Sequence, residues 1–190
     1  MITNLLNKNI VKIISFLSIS PGSRYTRKEI REKTKMNNVP LDETITKLSL
    51  MQIIKQEKKM YSLKLESERA KKVIEMIKTE YDKYNLSYNI FIILLEITEK
   101  LSKFKNIKDI ILFGSYAKLI HTDRSDIDVA IIVNSKQKEK LKNKIANILK
   151  EISNKENKII EIHFFTIQEM KENKSDPLIR DIIKNGKSLI

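Results

Sequence analysis

The 190-residue chain contains no cysteine, which excludes disulfides, thiolate zinc clusters and a cysteine nucleophile. It has only two histidines, His121 and His163, too few for a histidine-built metal site. It has no tryptophan, three glycines and three prolines, so connections should be short and helices plentiful. Long apolar runs are also missing. The longest lies within Asn89-Ile-Phe-Ile-Ile-Leu-Leu-Glu96, six apolar residues where a membrane-spanning helix needs about 20. The first residues, Met1-Ile-Thr-Asn-Leu-Leu6, lack the charged, apolar and small-residue sections of a secretion signal. These absences together predict a cytoplasmic protein with no membrane partner.

Hydrophobic residues make up 41% of the chain and charged residues 32%, enough for one ordinary domain or two small ones. The net charge is +13. Abundant Lys, Ile and Asn also suit an AT-rich coding sequence, so the distribution of charge says more than its total. Residues 1–65 hold 13 Lys/Arg against 5 Asp/Glu, a net of +8. Residues 66–104 hold 7 of each, and residues 105–190 hold 17 against 12. Positive charge concentrated at the N-terminus points to a polyanion partner there, with double-stranded DNA the leading candidate.

Apolar residues at Leu5, Leu6, Ile10, Ile13, Ile14 and Leu17 mark one face of a helix over 4–18. Ser20-Pro21-Gly22-Ser23 breaks it. Thr26 and Glu29 have the spacing of a capping box and open a short helix to about Lys35. Pro40 suits the first turn of a third helix whose stripe is Leu41, Ile45 and Leu48. Two extended pieces follow, Ile53–Gln56 and Met60–Lys64, joined by a charged turn at Glu57-Lys58-Lys59. Residues 66–83 and 86–104 read as two amphipathic helices. They form a helical linker that either packs on its neighbours or provides a homodimer seam.

From Ile107 the period changes. Ile110–Phe113 and Ile127–Val133 are compact apolar runs that suit buried strands, and Lys158–Phe165 is a third. A lysine-rich helix is predicted over 135–153. Thr166 and Glu169 form a second capping box, and Asp176-Pro177 opens a last helix that Gly186 ends.

Two segments in this part carry chemistry: Leu112-Phe-Gly-Ser-Tyr-Ala-Lys118 and Ser125-Asp-Ile-Asp-Val129. A strand runs into Gly114-Ser115 and then a helix. Glycine lets a phosphate approach the backbone, and the serine hydroxyl and first helical amides can bind its oxygens. Asp126 and Asp128, two apart on a strand, point to one face. Two carboxylates side by side repel unless a cation lies between them. Hard oxygen ligands favour Mg2+ or Mn2+.

These residues resemble the nucleotidyltransferase superfamily related to DNA polymerase beta, and most closely its minimal branch. The pattern there is Gly-Ser-x-Ala-x-Gly, a short spacer, then Ser-Asp-x-Asp. Gly114, Ser115, Ala117, Ser125, Asp126 and Asp128 match with the family's spacing, and Asp176–Ile190 resembles the branch's closing helix and strand. The resemblance implies that Gly114, Ser115, Ser125 and Lys118 bind a nucleoside triphosphate, expected to be ATP. It also implies a third carboxylate from a later strand, which completes a catalytic metal site of Asp126, Asp128 and Glu161. Glu161 could instead pair with a lysine at the sheet edge, and Lys118 and Arg124 could be solvated surface residues. The chain departs from the family at Leu119, usually glycine, and at Glu161, usually aspartate. Neither histidine is assigned a role.

Residues 41–54 resemble the recognition helix and first wing strand of winged helix-turn-helix regulators, with Gln52 where those proteins often have glycine. That resemblance implies base contacts from Asn38, Asp42, Thr44 and Lys47. Arg24, Arg27, Lys28, Arg31, Lys55, Lys58 and Lys59 would meet phosphates. A winged helix used only for protein contacts is the alternative.

The expected fold is therefore α+β overall. Residues 1–65 form a winged helix-turn-helix, 66–104 a helical linker, and 105–190 a small α/β nucleotidyltransferase domain with a short mixed sheet. The expected function is DNA-binding nucleotidyl transfer, AMP from ATP, to a protein or RNA acceptor. Minimal nucleotidyltransferases often act as antitoxins on a partner protein encoded alongside. The alternative is an inactive, nucleotide-sensing transcriptional regulator.

Overall fold

The computed structural model describes residues 6–134 and 139–190. Leu5 of the first helical stripe and residues 135–138 of the lysine-rich helix lie outside the described residues. The contacts divide the chain into two compact units, one ending at Lys83 and the other running over Tyr84–Ile190. The division falls inside the stretch expected as a linker.

The N-terminal unit opens with α1 (Lys8–Ile19), capped by the Asn7 side chain, which accepts from the Asn9 amide at 2.8 Å. Next come β1 (Tyr25–Thr26), α2 (Arg27–Thr34) and α3 (Asn38–Leu50). The Thr26–Glu29 capping box starts α2 as expected. A hairpin of β2 (Ile54–Glu57) and β3 (Met60–Leu63) follows. It is joined to β1 in an antiparallel sheet of order β1-β3-β2. Val11, Ile13, Ile14, Ile30, Leu41, Leu48 and Ile53 are fully buried and form this unit's core. Helix α4 (Glu68–Tyr84) ends at the division.

The C-terminal unit begins with Tyr84 and α5 (Tyr88–Leu101). Helix α5 is no spacer. Its residues Ile90–Thr98 are buried, and Glu96 is ion-paired at 2.6 Å with Lys155 on α7 (Glu139–Glu156). A continuous apolar run on a helix leaves no wet face, which is why α5 is an internal element. The sheet has order β6-β5-β4-β7 and is mixed. Strand β4 (Ile107–Phe113) is antiparallel to both β5 (Ile127–Val133) and β7 (Lys187–Ser188), while β5 is parallel to β6 (Ile160–Thr166). The short α6 (Gly114–Ala117) follows β4 directly. Helices α8 (Ile167–Glu172) and α9 (Pro177–Asn185) come after β6, each with the cap expected of it, Thr166–Glu169 and Asp176.

Alternation along β5 separates two faces. Ile127, Val129, Ile131 and Val133 are buried on one. Ala130 and Ile132 lie on the other, in a core with Phe113, Phe165 and Ile182. Asp128 belongs to this second face, at the end of β5 that α6 approaches.

Candidate active site

The site is built where β4 ends. Phe113 is the register partner of Asp128, and the chain then turns sharply at Gly114, whose φ is +68°. A Cβ built on Gly114 would lie 2.0 Å from Asp128 Oδ2. No side chain fits between that turn and the carboxylate. Buried Tyr116 and Ala117 anchor α6 from below. The turn after α6 is closed by the Ile120 amide donating to the Ser115 carbonyl at 3.0 Å. Leu119 takes a left-handed backbone, φ +61°, and is 41% exposed. Leu119, where the sequence resemblance implies glycine, thus occupies the conformation for which glycine is the usual choice.

Asp126 immediately precedes β5, and Ile127 between it and Asp128 is fully buried. Both aspartates are half-buried on the opposite side from Ile127. Asp128 pairs across the parallel β5/β6 ladder with Glu161, so the two acids are immediate neighbours. Desolvation pushes the Asp128 carboxyl above the usual range for aspartate, and the nearby negative charge of Glu161 pushes it further. Asp126 and Asp181 add to the rise, and His163 opposes it.

Two side-chain pairings in this region were not foreseen, although His163 and Glu161 share a strand face. His163, two residues along β6 on the same face, places Nε2 at 3.1 Å from Glu161 Oε1. Its ring meets Phe113 edge-to-face at 5.4 Å and stacks on Phe165 at 6.4 Å. Asp181 of α9 forms an ion pair at 2.7 Å with Lys118 and accepts from Asn185. The Lys118 ammonium, with Asn185, holds the Asp181 carboxyl below the usual range. Nothing in the local sequence marked Asp181 as a neighbour of Asp128.

The other expected ligands are accounted for as follows. Ser125 closes a tight turn, its hydroxyl accepting from the Thr122 amide at 2.9 Å. Ser115 is half-buried at the start of α6, and Arg124 is exposed. Glu161 is bonded to a histidine rather than to an edge lysine.

The donor set suits a hard divalent ion: oxygen ligands only, with one desolvated carboxylate among like charges beside a turn with no side chain. Among the described residues, no three acidic or histidine side chains already stand close enough together to hold an ion. Asp126, Asp128 and Glu161 therefore fit a metal by chemistry and by strand placement, with side-chain adjustment required to close on it.

In the N-terminal unit, Lys28, Lys47, Lys58 and Lys59 are exposed. Arg27 is engaged by Asp42 (2.6 and 2.8 Å) and by Asn38 (3.1 Å), which ties α2 to α3. Arg24 is ion-paired with Glu57 at 3.0 Å. Thr44 corrects an expectation. It is buried, its hydroxyl donates to the Pro40 carbonyl at 2.6 Å, and it is not on the open face of α3. Thr44 follows Leu41 by three residues and so lies on the apolar stripe.

A family model described as polymerase beta, nucleotidyltransferase, matches residues 95–190. No curated protein matches the chain in sequence.

Proposed function

The chain belongs to the polymerase beta nucleotidyltransferase family, and from that membership we propose that residues 105–190 carry a working, metal-dependent nucleotidyl transfer site. The observation that carries the reading is the meeting of Asp128 with Gly114 on one side and Glu161 on the other. The turn at Gly114-Ser115 receives the phosphates of a nucleoside triphosphate, expected to be ATP. Asp126, Asp128 and Glu161 would hold Mg2+ or Mn2+, which supplies Lewis-acid polarisation of the phosphate oxygens. The acceptor's hydroxyl oxygen bonds to the α-phosphorus while the bond from that phosphorus to the bridging oxygen breaks. Pyrophosphate leaves and the hydroxyl proton passes to solvent. The acceptor is a protein or an RNA, with a protein encoded alongside as the antitoxin-type candidate.

The N-terminal unit supports a second element of this reading, a winged helix-turn-helix that binds double-stranded DNA. The order α1-β1-α2-α3-β2-β3 with an antiparallel β1-β3-β2 sheet is the order of that fold. Lys58 and Lys59, with φ of 47° and 64°, form the two-residue loop of the hairpin. Such a loop normally takes Asn-Gly. Two adjacent lysines in left-handed backbone sacrifice local preference for charge, which favours a phosphate-contacting wing. Asn38 and Lys47 on α3 remain candidates for base contacts.

The discriminating experiment incubates the full-length protein with each labelled nucleoside triphosphate, Mg2+ and candidate acceptors. Asp126→Ala combined with Asp128→Ala should abolish transfer; unchanged labelling would remove the proposal. A nucleotide-sensing regulator without turnover is the second reading. It is favoured by the Lys118–Asp181 ion pair, which engages the motif's own cation. In that case ATP shifts DNA affinity and no product forms.

A further inference from the structure

A glutamate arm has one methylene more than an aspartate arm, and the Glu161 side chain is 56% exposed. An exposed glutamate samples several rotamers, and each unproductive one weakens a metal site. The remedy is on the same strand. His163 lies two residues on, so both side chains share one face of β6. Its register partner across the ladder is Ala130, a small residue that leaves room for the ring beside β5. Phe113 and Phe165 fix that ring, and Nε2 reaches Glu161 Oε1 at 3.1 Å. Phe113 is also the residue just before Gly114 and the register partner of Asp128. The imidazole thus links the third carboxylate to the strand end that bears the first part of the motif. A carboxylate has two oxygens. One bond to Nε2 leaves Oε2 for a cation while restricting where it can point.

We infer that His163 is a positioning residue that restricts the Glu161 arm beside its register partner Asp128 and so limits the loss of metal affinity that a long, exposed carboxylate arm would otherwise bring. The inference rests on the proposed metal site. It acts through ligand orientation, the route by which partners behind metal ligands typically change affinity about 10- to 100-fold.

The test uses full-length protein and two readouts: Mn2+ binding, followed by the electron paramagnetic resonance signal of the free ion, and nucleotide transfer. His163→Ala should weaken Mn2+ binding by about tenfold or more. His163→Gln, which keeps an N–H donor near the Nε2 position, should restore most of it. In a Glu161→Asp background, where the shorter arm needs no such support, His163→Ala should change Mn2+ binding less than twofold. Far-UV circular dichroism confirms folding of each variant. Equal loss from His163→Ala in both backgrounds, or no loss in the native one, would overturn the inference. The two failures are distinguishable. Wild-type protein that binds no Mn2+ removes the metal site and this inference together. Protein that binds Mn2+ but transfers nothing removes only the enzymatic reading, and the binding comparison still decides the role of His163.

Discussion

Asp128 occupies the space where a side chain on Gly114 would have to go. A Cβ there would stand 2.0 Å from Asp128 Oδ2. Left-handed backbone alone does not explain this glycine. Among the described residues, Lys35, Gln52, Lys58, Lys59, Asn85, Leu119 and Asn157 all take positive φ without being glycine. Gly114 is the one glycine at such an angle. The chain tolerates side chains at these turns and keeps glycine where a carboxylate presses on the backbone. Gly114→Ala should therefore displace Asp128, abolish transfer and cost about 1–3 kcal/mol, the left-handed penalty plus the strain of the clash. Chemical denaturation against wild type, with the transfer assay, checks both effects. Wild-type stability would contradict the crowding.

Asp128 makes stability depend on pH in a defined direction. Its carboxyl is raised above the usual range by desolvation and by Glu161. A raised acid contributes stability that is fully present below its unfolded-state pKa and is lost as pH rises through its folded-state pKa. Metal-free protein should therefore carry a penalty at neutral pH that Asp128→Asn relieves. The variant should melt at or above the wild-type temperature without metal, yet gain nothing from Mg2+. Wild type should gain about 2.7 kcal/mol at an ion concentration about 100 times its Kd. Thermal melts at pH 7 with and without Mg2+ decide this, and equal Mg2+ stabilisation of both proteins would refute it.

Leu119 stands in left-handed backbone, exposed, where the sequence resemblance implies glycine. Leu119→Gly should relieve about 1–2 kcal/mol of local strain, less about 0.4–1 kcal/mol for a more flexible unfolded chain. The net expectation is a small gain in stability with transfer kept or raised. A destabilised variant would mean that Leu119 makes contacts worth more than its strain.

Lys58→Asn with Lys59→Gly gives the hairpin loop its preferred residues. The double variant should stabilise the N-terminal unit while weakening DNA binding. Because each phosphate contact contributes about 0.9 to the slope of log K against log salt, that slope should fall by up to about 2. Binding to duplex DNA measured across a salt series provides the test. An unchanged slope would place DNA contacts elsewhere.

Much of this architecture was legible from local chemistry. Both capping boxes, the Asp176 cap and strand β5 over Ile127–Val133 follow from residue type and spacing, and the structure has them there. The Gly114-Ser115 turn and the two aspartates were legible for the same reason. What stayed hidden depends on partners distant in sequence. β1 is two residues long and exists only because β3 accepts it. The Lys118–Asp181 pair joins two elements 63 positions apart. The Arg27–Asp42 clasp depends on how α2 meets α3. His163 was visible as a neighbour of Glu161 on one strand face. Its contact with Phe113 needed the register of the whole sheet.

The most direct measurement supplies the full-length protein with ATP labelled either at the α-phosphate or at the γ-phosphate, with Mg2+ and acceptor present. Nucleotidyl transfer predicts that the α label alone becomes covalently attached and that pyrophosphate is released. Attachment of the γ label, or of neither label with any acceptor while ATP binds, would contradict the account.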